Sequence, residues 1–394
     1  MRSDERFYTS AYTFLRMWRP RHRPYGRIME HGSRRLTAGQ ATRPTSAGST
    51  VTQAVFGAVA EHTMGGAGEA DRPAVIDAMG DRPLTYAELA AVVPTVAAGL
   101  ARRGVLTGDV AAVYLPHTWQ LTLAVHALTA AGAVPAPIPR AGVTSADDLA
   151  ELLTSYDARM LVTAPPLGEV ALDAADRSYV RQVFAFGDVP GATPFGELLR
   201  GGGPSPRIDP GRDYALIQPI FRSGGASGAV GAVADGTTEG GLDGPGDGTA
   251  DQTTGGSTDG VVGDQRERLT HADRLADLDR LAAAVAVARG EALVGVSVGC
   301  SAATWVGLID VALLRGATFV AVTLPGSAPL LRAIETYDAE VAVVAPVTLQ
   351  TLAREEAVPP RSRHRPPRLL VAGPAPEELV RACRRHDWCV DTLV

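Results

Sequence analysis

The sequence predicts an α/β protein with two related subdomains, each with a mostly parallel sheet flanked by helices. From about residue 52, short apolar strands alternate with amphipathic helices, an order typical of parallel sheets covered by helices. One segment recurs 181 residues further along the chain. Hydrophobic residues make up 45% of the 394 residues, which is ordinary for a globular protein and enough to fill more than one core.

The first subdomain is predicted over residues 52–213. Thr85 and Glu88 have the spacing of a capping box and predict a helix that ends at Gly104. Ser145 and Asp148 predict a second capped helix in the same way. The other elements are expected as strands over 109–115, 133–137 and 160–163 and a helix over 119–131.

The second subdomain is predicted over residues 214–394 and begins with an apolar strand over 214–221. Thr270 with Asp273 predicts a capped helix that runs to Arg289. Further strands, with helices between them, are expected near 292–298, 318–323, 340–344 and 368–372.

Residues 155–165 align without gaps on residues 336–346, and six of the eleven positions are identical. Both copies are placed where a helix ends and a buried strand begins. We interpret them as evidence of two related subdomains; a chance match between two helix-to-strand junctions is the alternative. Two such units leave a cleft at the carboxyl ends of their strands, where open sheets bind ligands.

Two segments differ in charge from the rest of the chain. The first 50 residues hold ten arginines against Asp4, Glu5 and Glu30, a net charge of +7, whereas residues 231–264 hold seven acids and no arginine. Charge-rich segments without apolar periodicity are typically solvated. We therefore predict a disordered Arg-rich tail at residues 1–51 and an acidic, Gly/Asp/Thr-rich disordered insert at residues 231–266.

Lysine is absent from the chain, so all 37 basic residues are arginines. This excludes a Schiff-base nucleophile, a lysine general base and the lysine of the usual phosphate loop. The three cysteines argue against a disulfide framework and favour a reducing, cytoplasmic location. The net charge of −6 and the lack of a long apolar run argue against nucleic acid and membrane as partners.

Cys383, His386 and Cys389 recur at intervals of three residues. Three ligands without a fourth nearby fit no common zinc pattern, so no metal site is predicted. We interpret the two cysteines as buried thiols in a helix that runs into a buried strand.

A glycine-rich loop follows the strand over 214–221. Glycines and small hydroxyl residues after a strand let backbone N–H groups approach a phosphate, although such loops are also common linkers. The candidate phosphate-binding residues are Arg222, Ser223, Gly224, Gly225, Ser227 and Gly228.

Six short motifs are spread over most of the chain: Leu84–Leu89, Gly108–Val110, Leu115–His117, Ala130–Pro135, Leu269–His271 and Arg368–Leu379. Together with the glycine-rich loop, they resemble the adenylate-forming family, the AMP-dependent acyl-CoA synthetases and ligases. The resemblance covers residues from about 52 to the end and corresponds to the family's large N-terminal domain.

The resemblance implies a fold, an activity and ligands. Members of the family use ATP, with Mg²⁺, to convert a carboxylic acid to an acyl-adenylate, and commonly transfer the acyl group to coenzyme A. ATP or AMP, coenzyme A and a carboxylic acid or acyl compound are the ligands implied here. The resemblance further implies that the loop with Arg222 contacts phosphate and that Gly373, Pro374 and Ala375 lie along the adenine.

Several departures from the family predict impaired catalysis. Gly231 falls near the place of the loop lysine, the acidic insert separates the loop from Leu269–His271, and Ser301–Trp305 lacks the family's histidine. The chain also stops at Val394, before the family's Tyr-Gly-x-Thr-Glu element and lysine-bearing domain, so we expect a truncated member. One lost charge contact to a transition state typically costs about 10²–10³ in rate.

The resulting prediction is a pseudoenzyme that is at most a nucleotide or acyl binder, with no catalytic residue assigned. One alternative is an active acyl-adenylating enzyme completed by a separate polypeptide. Another is a non-catalytic interaction protein that uses the acidic insert and the Arg-rich tail.

Overall fold

The computed structural model describes residues 48–63, 67–78, 83–140, 143–200, 203, 206–219, 266–360 and 367–393. The predicted tail, apart from residues 48–51, and the predicted acidic insert, apart from Arg266, lie outside the described residues. The described residues other than 219 and 266–267 form one unit, and this unit carries the two larger sheets.

Helices and strands alternate along the described chain. The helices are α1 (Val51–Thr63), α2 (Ala67–Ala70), α3 (Tyr86–Arg102), α4 (Trp119–Ala130), α5 (Ala146–Ser155), α6 (Gly168–Asp176), α7 (His271–Val285), α8 (Ala302–Arg315), α9 (Ser327–Tyr337), α10 (Pro346–Arg354) and α11 (Glu377–Arg385). The strands are β1 (Pro73–Asp77), β2 (Leu84–Thr85), β3 (Val110–Val113), β4 (Val134–Pro137), β5 (Ala158–Thr163), β6 (Gln182–Ala185), β7 (Thr193–Pro194), β8 (Tyr214–Pro219), β9 (Arg266–Thr270), β10 (Ala292–Val296), β11 (Thr318–Val322), β12 (Val341–Val344), β13 (Arg368–Ala372) and β14 (Cys389–Leu393). A 3₁₀ segment covers Phe195–Arg200.

The larger sheet has seven strands in the order β14-β13-β12-β10-β11-β1-β2. All its pairings are parallel except that of β2 with β1, which is antiparallel. Phe319 lies opposite both Val75 and Leu293 in the register. The carboxyl ends of six strands therefore lie at one edge of this sheet.

The second sheet has five parallel strands in the order β4-β3-β5-β6-β7. Strands β8 and β9 form a separate two-stranded sheet. The α/β class with mostly parallel sheets flanked by helices, predicted from the alternation of elements, is thus confirmed.

Helices α1, α3, α4, α7 and α8 fill the space between the two larger sheets. Their apolar faces share one core with residues from both sheets, including Leu293 and Met160. The next residue after Leu293, Val294, faces a second core covered by α9, α10 and α11. Helices α5 and α6 cover the outer face of the five-stranded sheet. Helices thus cover both faces of the two larger sheets at their central strands, as expected for continuous apolar strands.

The local helix signals are confirmed with one exception. Thr85, Ser145 and Thr270 each form a complete capping box with the acid three residues later. The helix predicted to reach Arg289 instead ends at Val285, because Ala286 takes a left-handed conformation with φ 50°. The prediction of that boundary is wrong by four residues.

The two copies of the repeated segment adopt the same local structure. Asp157 and Asp338 both follow a helix end and both have a positive φ, 52° and 47°. Each leads into a buried parallel strand, β5 or β12, and each strand is followed by a proline that opens a helical turn. The match between the copies therefore reflects a shared helix–turn–strand unit.

Strand pairing crosses the predicted boundary at residues 213 and 214. Strands β1 and β2 precede this boundary but pair within the sheet of β10–β14. Sheet membership thus does not follow the predicted subdomains, whose boundaries stay a prediction.

The two cysteines near the end of the described chain differ in environment. Cys383 is buried, and its Sγ lies 3.6 Å from the carbonyl oxygen of Leu349. Cys389 is exposed, because it opens the edge strand β14. The interpretation of both as buried thiols is therefore wrong for Cys389.

No helix in the described ranges is long and apolar enough to cross a bilayer.

Candidate functional site

Both larger sheets have a topological switch point. Strand β10 lies between β11 and β12, the next two strands in the chain, so the connections that leave β10 and its neighbour β12 run in opposite directions along the sheet. Strand β3 lies between β4 and β5 in the same way. Ligands of open α/β sheets bind at the carboxyl ends of strands at such points. The loops after β3 and β10 are therefore where a ligand is expected to bind.

These two loops lead to the starts of helices α4 and α8, which lie against each other. Trp305, in the first turn of α8, donates its indole N–H to the carbonyl oxygen of Thr118 at 3.4 Å. The rings of Trp305 and His117 are 5.8 Å apart and tilted by 46°. We call this contact region, with Tyr114, His117, Thr118, Arg140, Cys300, Ser301 and Trp305, the carboxyl-edge junction.

Trp305 is fully buried, and its position depends on a glycine. Its ring meets Phe319 edge to face at 5.1 Å. A Cβ on Gly295 of β10 would lie 2.9 Å from Cε2 of Phe319 and 3.3 Å from Cζ3 of Trp305. Glycine in the central strand therefore leaves room for the two aromatic rings.

The loop after β10 is held by packing and by a helix cap. Gly299 has a φ of 75°, and a Cβ there would lie 2.7 Å from Cγ1 of Val347 at the start of α10. Ser301 caps α8 by accepting a hydrogen bond from the backbone N–H of Thr304 at 3.1 Å. Between them Cys300 is buried, and burial raises the pKa of its thiol to about 12. The thiol is therefore protonated at neutral pH.

Arg140 is exposed after β4 and supplies positive charge beside the loop after β3. Burial and, secondarily, the Arg140 charge lower the pKa of His117 to about 4. Burial raises the pKa of Tyr114, and Arg140 opposes that shift. At neutral pH the junction thus presents a neutral imidazole, a neutral phenol and one guanidinium.

We expect the free energy of unfolding to fall as the pH falls from about 6.5 towards 4. Burial holds the pKa values of His117 and His271 at about 4 in the folded chain, against 6.5 when exposed. Between about pH 4 and pH 6.5 the unfolded chain binds more protons than the folded chain, so a fall in pH favours unfolding. Above this range the effect is absent. Urea unfolding at pH 7.0, 6.0 and 5.0 measures the slope.

The matched variant is His117→Gln. Removing one of the imidazoles whose pKa burial lowers should make the slope shallower in that pH range. An unchanged slope, with a His117 pKa near 6.5 by NMR titration, would contradict the expected environment of this ring.

A buried ionic cluster lies further along the same two helices. Asp310 of α8 accepts a hydrogen bond from Nε2 of His126 in α4 at 2.7 Å, and the Arg274 guanidinium of α7 lies 3.6 Å from its other oxygen. Thr52 of α1 lies 3.3 Å from Nδ1 of His126. The cluster connects four helices between the two sheets and so fixes how the loops at the carboxyl-edge junction meet.

The predicted nucleotide-binding residues are only partly placed. Arg222, Ser223, Gly224, Gly225, Ser227 and Gly228 lie outside the described residues. Gly373, with a φ of 109°, and Pro374 and Ala375 follow β13, at the same edge of the seven-stranded sheet as the loop after β10. Their contact with a nucleotide stays a prediction.

Sequence reasoning did not identify Arg140 or Trp305 as site residues. Arg140 lies shortly after the carboxyl end of β4, and Trp305 lies in the first turn of the helix that follows β10. The predicted alternation of strands and helices already indicated both places. The packing of α4 against α8 decides which of the many such positions come together. The periodicity of the sequence carries no information about that packing.

Comparisons with known proteins agree with this architecture. Residues 63–200 match the family of AMP-binding enzymes. An acetyl-coenzyme A synthetase of Rhodopirellula baltica is 34% identical over 125 residues, which are 29% of this chain and 18% of that protein.

Two solved structures share the fold. MbtA of Mycobacterium smegmatis, in its apo structure, has a TM-score of 0.61 at 23% identity, over 84% of this chain and 54% of its own. A long-chain-fatty-acid-CoA ligase from Archaeoglobus fulgidus has a TM-score of 0.65 at 17% identity, over 90% of this chain and 65% of its own. The present chain thus spans between half and two thirds of these solved structures.

Proposed function

We propose that this chain, whose residues 63–200 match the family of AMP-binding enzymes, binds a nucleotide or an acyl compound and does not by itself form an acyl-adenylate. ATP or AMP and coenzyme A are the ligands that the family suggests, and a carboxylic acid is the class of acyl precursor.

The absence of lysine from all 394 residues carries this proposal. Transfer at a phosphate needs a cation where negative charge develops, and removing one such contact costs about 10²–10³ in rate. Arginine can hold a phosphate, but it stays protonated and cannot serve as a base. Binding can therefore survive where catalysis does not.

The carboxyl-edge junction supports binding of an anion. Helices α4 and α8 begin there, and the free N–H groups and dipole of a helix N-terminus favour negative charge. Arg140 adds a full positive charge that a phosphate or carboxylate can engage. These donors suit the phosphate of a nucleotide or the carboxylate of an acyl precursor.

The same residues offer little for covalent chemistry. The Cys300 thiol is protonated because burial raises its pKa to about 12, and only a thiolate is a good nucleophile. The described ranges contain no group of three or more His, Cys, Asp and Glu side chains arranged to hold a metal ion. Mg²⁺ would arrive with ATP.

Thermal-shift titration with ATP, AMP and coenzyme A tests the proposal. At least one ligand should stabilise the fold, by about 2.7 kcal/mol at 100 times its dissociation constant. Arg140→Gln should weaken that ligand at least tenfold. Arg332→Gln, at an exposed arginine of α9, is the matched control and should leave affinity unchanged.

Acid-dependent ATP–pyrophosphate exchange is measured on the same samples. The purified chain should show no exchange above background. Robust exchange with any carboxylic acid would overturn the proposal, and exchange that appears only with a second polypeptide would favour an enzyme completed in two parts. Failure of all three ligands to stabilise the chain would leave no support for binding.

A further inference from the structure

A cleft of about 330 Å³ opens at the amino edge of the five-stranded sheet, the edge opposite the carboxyl-edge junction. Its volume lies in the range of small-molecule sites. The lining residues are Gly104, Val105, Leu106, Asp109, Arg159, Met160, Arg181 and Gln182. We call it the amino-edge cleft.

The floor of this cleft is fixed by the parallel sheet. Strands β3, β5 and β6 are neighbours, so Asp109, Arg159 and Arg181, near their first residues, stand side by side. The backbone N–H of Arg181 donates to the carbonyl oxygen of Arg159 at 2.8 Å. The side chain of Gln182 donates to the carbonyl oxygen of Arg103 at 3.2 Å and ties the floor to the end of α3.

One wall is a tight turn between α3 and β3. Gly104 and Gly108 both have positive φ values, 86° and 89°, which suit glycine. The carboxylate of Asp109 accepts the backbone N–H of Leu106 at 2.9 Å, and the N–H of Gly108 donates to the carbonyl oxygen of Gly132 at 2.9 Å. The wall is therefore formed before any ligand arrives, which lowers the entropic cost of binding.

The two arginines of the cleft have different degrees of charge compensation. Arg159 is paired with Asp157 at 2.9 Å and lies over the ring of Tyr179 at 5.7 Å. Arg181 is exposed, and no carboxylate in the described part of the chain lies within 4.0 Å of its guanidinium. Asp109 in the lining offsets part of this charge, so the cleft offers a ligand anion the guanidinium of Arg181 and little further positive charge.

The cleft also has an apolar side. Leu106 is 67% exposed at its rim, a high fraction for a leucine, and Val105 and Met160 are buried beneath. A ligand with an apolar portion would cover Leu106 and gain about 25 cal/mol for each Å² removed from water.

We propose that the amino-edge cleft binds a small organic monoanion, a carboxylate with a short apolar chain. The ligand's carboxylate engages the Arg181 guanidinium, which matches its bidentate geometry. The ligand's apolar chain packs on Leu106. Asp109 disfavours a dianion such as a phosphate monoester, because the one unpaired guanidinium does not balance two negative charges beside another carboxylate. This site is independent of the proposed function, which rests on the opposite edge of the sheets.

Hexanoate is the test ligand, and its binding at the cleft is followed in the full chain by NMR titration of the chemical shifts of cleft amides such as those of Gly104, Leu106 and Gln182. Hexanoate should bind the wild type, and Arg181→Gln should weaken it at least tenfold. Leu106→Ser should bring the affinity for hexanoate close to that for acetate. Arg332→Gln and Arg140→Gln should both leave this binding unchanged, and the Arg140 variant separates the cleft from the carboxyl-edge junction.

Three outcomes would overturn the proposal. These are hexanoate-induced shifts of the cleft amides that survive Arg181→Gln, inorganic phosphate or hexanol binding at the cleft as tightly as hexanoate, and no effect of hexanoate on the cleft amides at all. Arg181 is exposed, so its variant should keep the wild-type unfolding midpoint, and this is measured first to exclude a loss of fold.

Discussion

Asp310→Ala should lower the free energy of unfolding by about 3–5 kcal/mol, the usual cost of breaking a buried ion pair by removing one partner. Asp310 is 1% exposed and holds Nε2 of His126 at 2.7 Å. Its second oxygen lies 3.6 Å from the guanidinium of Arg274, itself 7% exposed. Without the carboxylate, the Arg274 charge stays buried and uncompensated. Urea unfolding at pH 7 measures the change.

Two variants separate charge from volume. Asp310→Asn keeps the shape and should cost nearly as much as Asp310→Ala, because the charge on Arg274 is the main cause. Glu377→Gln removes one partner of an exposed pair, with Glu377 and Arg381 side chains 75% and 63% exposed, and should change stability by less than about 1 kcal/mol. Equal effects for the buried and the exposed pair would contradict this account.

The buried cluster marks a limit of reading the sequence. His126 and Asp310 are 184 residues apart and lie on helices whose other residues are largely apolar and buried. Nothing local relates one to the other. Their contact depends on α4 and α8 packing together between two sheets, which is a property of the assembled layers.

Local signals, by contrast, predicted most elements. The capping boxes at Thr85, Ser145 and Thr270 act within four residues, so the sequence contains all of their interactions. The boundary predicted at Arg289 was wrong because tertiary burial overrode local helix preference. Val285 and Val287 are both buried, yet two residues that are two apart in a helix lie on nearly opposite faces. The helix therefore ends, and the chain turns at Ala286.

The candidate sites were predictable to different degrees. The carboxyl edge of the sheets followed from strand–helix alternation, since open parallel sheets bind ligands there. The pairing of His117 with Trp305 did not follow, because it joins loops from two different sheets. The amino-edge cleft was not predicted at all, because Arg159 and Arg181 look like ordinary surface arginines in the sequence.

Gly99→Ala should destabilise the fold by about 2 kcal/mol or more, although alanine is the better helix former. Gly99 is buried in α3, and a Cβ there would lie 2.7 Å from the carbonyl carbon of Leu198 and nearer still to its oxygen. Those atoms are backbone of the 3₁₀ segment and cannot rotate away. Overpacking costs about 1–3 kcal/mol and occasionally more, which exceeds the gain in helix propensity of about 1 kcal/mol.

Gly57→Ala is the matched control in helix α1. Gly57 is exposed, and a Cβ there would meet nothing within 4 Å, so only the propensity gain remains. This variant should be more stable than the wild type by about 0.5–1 kcal/mol. Opposite signs for the two glycines in urea unfolding would show that α3 packs on the Phe195–Arg200 segment at van der Waals distance. A stabilising Gly99→Ala would mean that this contact is absent in solution.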